Sequence, residues 1–214
     1  LGDVYKRQSL TSDRHELLNI YHYNKSEKKS ILKENITIHK NAIIDCSFMS
    51  ISELQDFIEK EICDCKEKSM LLSLHLKASM MKVSDPIIFG HVLKVFFKNF
   101  IEKNSTTLEK INVNFNSGLS NLFEKINQLD NPTKEKLVNE IELDIENGPD
   151  LAMVNSEKNI TNFHIPSDVI IDASMPAMIK SSGKIWNKNG ELRDTKAIIP
   201  VSYTHLRAHE TSRD

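Results

Sequence analysis

Glycine is scarce, with only 6 in 214 residues. None of them forms a GxGxxG or Walker-type loop, so this span has no glycine-cradled phosphate site of the familiar kinds. Cysteine is scarce too. Cys46, Cys63 and Cys65 make an odd count, and their spacing fits neither a zinc site nor a disulfide framework. The Cys63/Cys65 pair lies in a helical pattern, where positions i and i+2 point apart, so free thiols are expected. No apolar run approaches the roughly 20 residues that span a bilayer, and the N-terminus has no apolar core of a signal peptide. An excess of one charge is also missing. The 28 basic residues are interspersed with 30 acidic ones for a formal charge of −2, which gives no field for nucleic acid or anionic membrane. The expectations are no nucleic acid, no membrane and a cytoplasmic compartment.

What is present suffices for a folded core. A hydrophobic content of 39% over 214 residues supports one sizeable domain or two small ones. The ends, Leu1–Gln8 and Val201–Asp214, lack periodicity joining them to their neighbours. They resemble translated adapter remnants and are set aside as tails, leaving 9–200 as the expected partial large domain. The His205/His209 pair in the second tail therefore carries no metal site.

Leu17–Tyr23 and Ser30–His39 flank a polar turn and predict a β-hairpin. Ser50 or Ser52 offers an N-cap, with Glu53 or Gln55 as capping-box partner. Leu54, Phe57, Ile58, Ile62 and Cys65 then fall on one stripe of a helix over about 52–66. Leu71–Leu76 (LLSLHL) reads as a buried strand. Asp85-Pro86 starts a helix, with the Asp as cap, whose apolar face runs on through Ile101. Leu119–Leu129 and Pro132–Glu146 predict amphipathic helices, the second closed by Gly148. Leu151–Asn155 and Asp168–Asp172 predict further strands, Ser174-Met-Pro176 a helix start, and Asn187–Gly190 a turn between two extended segments. The alternation predicts an α/β fold: a partly parallel sheet flanked by helices and preceded by a β-hairpin.

Two charged residues share a description. Lys77 follows Leu71–Leu76 and Asp172 follows Val169–Ile171, each leading from an apolar strand into a connection to a helix. If those strands ran parallel, both side chains would emerge at one sheet edge, within about 10 Å, where α/β sheets collect ligands. Taken alone, Asp172 could equally brace a turn, and Lys77 could be a solvated strand-end lysine. A non-catalytic α/β interaction module is the alternative on that reading. His75 reads as a satisfied core histidine, and the pairs Met80/Met81 and Met175/Met178 as packing. His91, His164, Lys82 and Asp85 receive no catalytic role.

Two long strings decide between these. Leu74-His-Leu-Lys-Ala-Ser-Met-Met-Lys-Val-Ser-Asp-Pro-Ile-Ile-Phe-Gly90, and Asp172-Ala-Ser-Met-Pro176 continuing through Gly183-Lys-Ile-Trp186 to Asp194-Thr-Lys-Ala197 and Pro200, resemble the monomeric type of NADP-dependent isocitrate dehydrogenase. Weaker similarity starts near Leu17. Mild departures are Ser79 where threonine is usual and Lys180 where arginine is usual; after Pro200 the departure is complete. The resemblance implies an internal fragment, about 17–200, of a larger isocitrate/isopropylmalate dehydrogenase-like enzyme. It implies oxidative decarboxylation of isocitrate to 2-oxoglutarate with NADPH formation, a step of the tricarboxylic acid cycle. It makes Lys77 the substrate-contacting, proton-transferring lysine and Asp172 a ligand of Mg²⁺ or Mn²⁺. The parent enzyme would be a monomer whose nucleotide-binding residues lie elsewhere, and the fragment alone would be inactive.

Overall fold

Two units, residues 1–50 and 51–214, make up the computed structural model, which describes residues 8–24, 26–46, 49–76, 78, 81–166 and 174–199. In the first unit the chain is held by strand pairing. β1 (Gln8–Thr11) pairs antiparallel with β4 (Ile43–Cys46). Between them β2 (Glu16–Tyr23) and β3 (Lys29–Ile38) form the expected hairpin. Asn24 closes its turn, its Oδ1 accepting from the backbone N–H of Ser26 and of Lys28, as Asx side chains do in turns. A register shift around Ile20 is matched by Asn35 at φ 57°, a bulge conformation that asparagine tolerates. Among the described residues of this unit only Ser12 is buried.

The second unit contains an apolar core. α1 (Ile51–Glu67) buries Ile58 and Cys65 and packs Leu54 and Ile62 against the core, while Phe57 of the expected stripe is more than a third exposed. β5 (Leu71–Leu74) is buried along its whole length, the pattern of a strand covered on both faces. Its parallel neighbour is β9 (Leu192–Ile198), with Leu71 opposite Thr195 and Leu74 opposite Ile198. β8 (Lys184–Trp186) continues the sheet antiparallel to β9. On its other edge Leu72 bridges Leu151 in parallel, donating to Asp150 O and accepting from Ala152 N. The β8–β9 turn is the expected one: Asn187 Oδ1 accepts from the N–H of Asn189 and of Glu191, and Gly190 sits at φ 75°. The strand expected at Val169–Ile171 lies outside the described residues.

Helices cover this sheet. α2 (Ser84–Phe96) and α3 (Lys98–Lys110) replace the single helix expected to start at Asp85 and to carry its apolar face through Ile101. The chain breaks at Phe97 (φ −99°, ψ 29°), which is fully buried. Apolar spacing continues across the break through Phe96, Phe97, Phe100 and Ile101, so periodicity alone does not reveal it. What stabilises the new helix start is remote: Asp144 Oδ2 accepts from Phe100 N at 3.2 Å, 44 residues away, satisfying one of the orphan amides of a helix N-terminus. Asp85 is not the cap of α2 either. That position is Val83, which makes no side-chain cap bond, and Asp85 lies buried in the first turn, where its carboxylate accepts from Ser84 Oγ.

A 3-10 turn (Phe115–Ser117), α4 (Gly118–Ile126) and α5 (Asn131–Asn147) follow. α5 is capped by Asp130, whose carboxylate accepts from Thr133 N, with Pro132 in the first turn. β6 (Met153–Asn155), β7 (Ile160–Thr161) and α6 (Ser174–Lys180) complete the unit. β6 and β7 pair antiparallel, with Met153 opposite Thr161 and Asn155 opposite Ile160. The fold is mixed α and β, with several small sheets and six α-helices among the described residues. No described helix is long and apolar enough to cross a membrane.

Candidate active site

The carboxyl end of β5 is the place toward which the sequence points. Alternation along a strand sends Leu72, Leu74 and Leu76 to one face and Leu71, Ser73 and His75 to the other. All six are buried, so the second face carries two polar side chains into the core. They find each other: Ser73 Oγ lies 3.0 Å from His75 Nε2. A third polar group comes from across the sequence, where Asn162 Nδ2 donates to Ser73 Oγ at 2.8 Å, 89 residues away. The backbone ties the same end to β9, since His75 N donates to Ile198 O at 2.9 Å.

Asn162 is held firmly. Its N–H donates to Ala152 O, and the neighbouring Thr161 Oγ1 accepts from Phe163 N and lies 3.0 Å from His164 Nδ1. The carbonyls of Phe163 and His164 accept from the first amides of α4, Leu119 N and Ser120 N, both at 3.0 Å. Gly118 permits that approach: its φ is 85°, and a Cβ there would lie 2.3 Å from His164 O. Asn162 Oδ1 is the buried side-chain atom among the described residues that has no hydrogen-bond partner.

Burial drives the pKa of His75 down to about 4, keeping the imidazole neutral. His164 is lowered by burial as well, against a raising contribution from the Thr161 backbone; His91, beside Gln55 Nε2 at 3.3 Å, is lowered by burial and by Lys94. The core reading of His75 holds, and Met178 is buried packing. Burial raises the Cys65 thiol to about 11, and Cys65 and Cys63 are free, as their spacing implies.

The two residues singled out for chemistry, Lys77 and Asp172, lie outside the described residues, as do Ser79, Met80, His205 and His209. Among the described residues no group of three or more His, Cys, Asp or Glu side chains could hold a metal ion. The residues that sequence reasoning missed are Ser73 and Asn162. A serine and a histidine two apart on one face of an otherwise apolar strand gave a local sign of them; nothing local marks Asn162.

A domain model for monomeric isocitrate dehydrogenase matches residues 2–210. The chain belongs to that family. The matched span takes in most of both terminal stretches set aside above. Isocitrate dehydrogenase (NADP) 2 of Psychrobacter sp. (strain 13A) is 42% identical over 202 residues, 94% of this chain and 27% of that protein. Isocitrate dehydrogenase (NADP) of Azotobacter vinelandii is 46% identical over 176 residues, 82% of this chain and 24% of that protein. The Mycobacterium tuberculosis isocitrate dehydrogenase (NADP) 2 is 42% identical over 202 residues, 94% and 27% of the two chains. The chain thus spans about a quarter of the length of these relatives.

Proposed function

We propose that the chain is part of a cytoplasmic, monomeric NADP-dependent isocitrate dehydrogenase and supplies one wall of its active site, with 9–200 forming part of the large domain. The family match across nearly the whole chain carries this reading. The reaction is isocitrate plus NADP⁺ giving 2-oxoglutarate, CO₂ and NADPH. The hydride leaves the carbinol carbon for the nicotinamide, the carboxylate β to the new ketone, carried on the neighbouring carbon, leaves as CO₂, and the proton released by the hydroxyl is balanced by one delivered to that neighbouring carbon. No net proton is lost, so a single group that takes and returns a proton serves both steps.

Lys77 is assigned that role together with contact to the substrate, since a lysine's pKa moves readily in a desolvated site. Asp172 is assigned to a hard divalent cation, Mg²⁺ or Mn²⁺, for which carboxylate oxygen is a suitable ligand. When bound, that cation would supply Lewis-acid polarisation of the substrate oxygens. The parallel pairing of β5 with β9 supports the partly parallel sheet that would carry Lys77 at a strand's carboxyl end.

The test is activity of the chain joined to the remaining length of its Psychrobacter relative. Isocitrate-dependent NADPH formation with Mg²⁺ or Mn²⁺ is expected there and is absent from the 214-residue chain by itself. Lys77→Met should chiefly lower kcat, while Asp172→Asn should raise the metal concentration needed for half-maximal rate. A Lys77→Met enzyme with unchanged turnover removes the assignment.

A further inference from the structure

The open end of the β2–β3 hairpin brings two histidines together. His15 and His39 stand immediately beyond the Glu16–Ile38 pair that ends the ladder, so they continue its register across the two strands. Side chains opposite each other in such a setting share a face, with Cβ atoms about 5 Å apart. The rings meet accordingly, with 5.4 Å between centroids and 86° between planes.

The backbone around the pair is tied independently of that contact. Ser12 N donates to Ala42 O at 2.9 Å and Asn41 N to Ser12 O at 2.8 Å, joining the segment that leads into β2 to the segment that leaves β3. Ala42 N donates back to His39 O at 3.0 Å, closing a turn in which Asn41 takes φ 67°, a conformation asparagine tolerates. Ser12 is buried, and its Oγ donates to Arg14 O at 2.6 Å. The two histidines are thus carried on a fixed frame.

An edge-to-face ring pair would by itself account for the contact. Two further features suit a metal ion. Both residues are exposed, and among the described residues neither ring makes a hydrogen bond, so the ring nitrogens are open to solvent. The separation also fits: two imidazoles on one tetrahedral zinc, at about 2.0–2.1 Å per Zn–N bond, place their ring centroids about 5 Å apart. Turning each ring about χ2, a soft torsion, aims one nitrogen of each at a common point. The neighbouring cation Arg14 is engaged elsewhere, its Nε donating to Glu16 Oε2 at 3.4 Å.

We propose that His15 and His39 form a two-ligand site for a divalent transition ion of the Zn²⁺ class, and that the bound ion clips together the segments 12–16 and 38–42 of the first unit. No third His, Cys, Asp or Glu among the described residues completes the site, so water supplies the remaining ligands. Imidazole suits zinc, copper and nickel, whereas Mg²⁺ prefers oxygen. A clip matters in this unit because two-stranded pairing is marginal in water, and an ion that binds only the paired arrangement stabilises it. The proposal does not depend on the roles assigned to Lys77 and Asp172.

Histidine ring ¹H–¹⁵N correlation in the 214-residue chain, titrated with Zn²⁺ and separately with Mg²⁺, tests the site. Each of His15→Gln and His39→Gln removes one ring signal and so identifies it; both positions are exposed, so neither change disturbs packing. In the wild type the two rings should respond to Zn²⁺ with one shared midpoint and should not respond to Mg²⁺. His15→Gln should raise the midpoint seen at His39 at least about tenfold, since losing even a supporting partner of a metal ligand costs ten- to hundredfold, and His39→Gln should do the same at His15. Separate midpoints, a His39 midpoint unchanged in His15→Gln, or no response to a large molar excess of Zn²⁺ overturns the shared site.

The clip is read from amide hydrogen exchange in β2 and β3. At ten times the midpoint concentration of Zn²⁺, exchange there should slow roughly tenfold in the wild type and stay unchanged in His39→Gln. Equal exchange with and without Zn²⁺ in the wild type overturns the clip.

Discussion

The two units share one polypeptide and differ in what holds them. In residues 8–46 most described side chains are exposed, and large apolar ones are among them: Leu10, Leu17, Leu32 and Ile43 show 64%, 61%, 66% and 75% of their surface. Order there comes from two antiparallel pairings and the turns that join them. In the second unit Leu72, Val92, Leu93, Phe97, Leu122, Ile141 and Phe163 are 0% exposed, drawn from a strand, three helices and connecting segments. Backbone pairing recurs in both units; burial does not. A two-stranded hairpin is marginal in water without an apolar face packed on something, so the free energy of folding is concentrated in the second unit.

The sharpest way to break that contrast is a core deletion. Phe97 sits where α2 ends and α3 begins, with the Phe96 ring tilted by 59° against it at 4.9 Å between ring centroids. Phe97→Ala should cost about 3–5 kcal/mol, through lost burial and the cavity left behind. Urea unfolding followed by far-UV circular dichroism would measure it, and a loss under about 1 kcal/mol would show that the break is not held by packing.

A somewhat smaller effect comes from pH. The folded pKa of His75 is depressed from 6.5 to about 4 by burial, so between those values the unfolded chain binds the proton and the folded one does not. The contribution of a neutral His75 is therefore complete above about pH 6.5 and is lost as pH falls toward 4, by about 3 kcal/mol in all. Urea midpoints at pH 7 and pH 4.5 should differ in that direction, and His75→Gln should lose part of the difference. Equal pH dependence in both proteins would place the effect on other groups.

How much of this could be read in advance follows from the range of each interaction. The hairpin, α1 and the start of α5 were legible because their signals are local: alternation, an apolar stripe, and Pro132 in the first turn of the helix. The break at Phe97 was not, because apolar spacing continues across it and the carboxylate that receives Phe100 N belongs to α5. The parallel pairing of β5 with β9 joins segments more than a hundred residues apart, and the strand's alternation fits many partners. At the candidate site, Ser73 and His75 are visible as polar residues in an apolar strand, but Asn162 is fixed by a turn, a helix N-terminus and a glycine that only the fold brings together. Lys77 and Asp172 were reached through strand-end position and family likeness, since a charged residue after an apolar run has no local mark separating chemistry from solvation.

The smallest expected effect completes the contrast, because it is the one the first unit should show. Leu32 lies in β3 with 66% of its surface exposed, one position from the Tyr21–Ile31 pair. A leucine in that setting has given up little water on folding, so replacing it with serine removes little transfer free energy. The backbone ladder is unaffected, and the change in β-propensity is a fraction of a scale that spans only about 1 kcal/mol. Leu32→Ser should therefore move the urea midpoint by less than about 0.5 kcal/mol equivalent, with an unchanged slope. A loss as large as that of Phe97→Ala would mean that this face of the hairpin is covered in solution, and that apolar exposure in the first unit marks a contact surface.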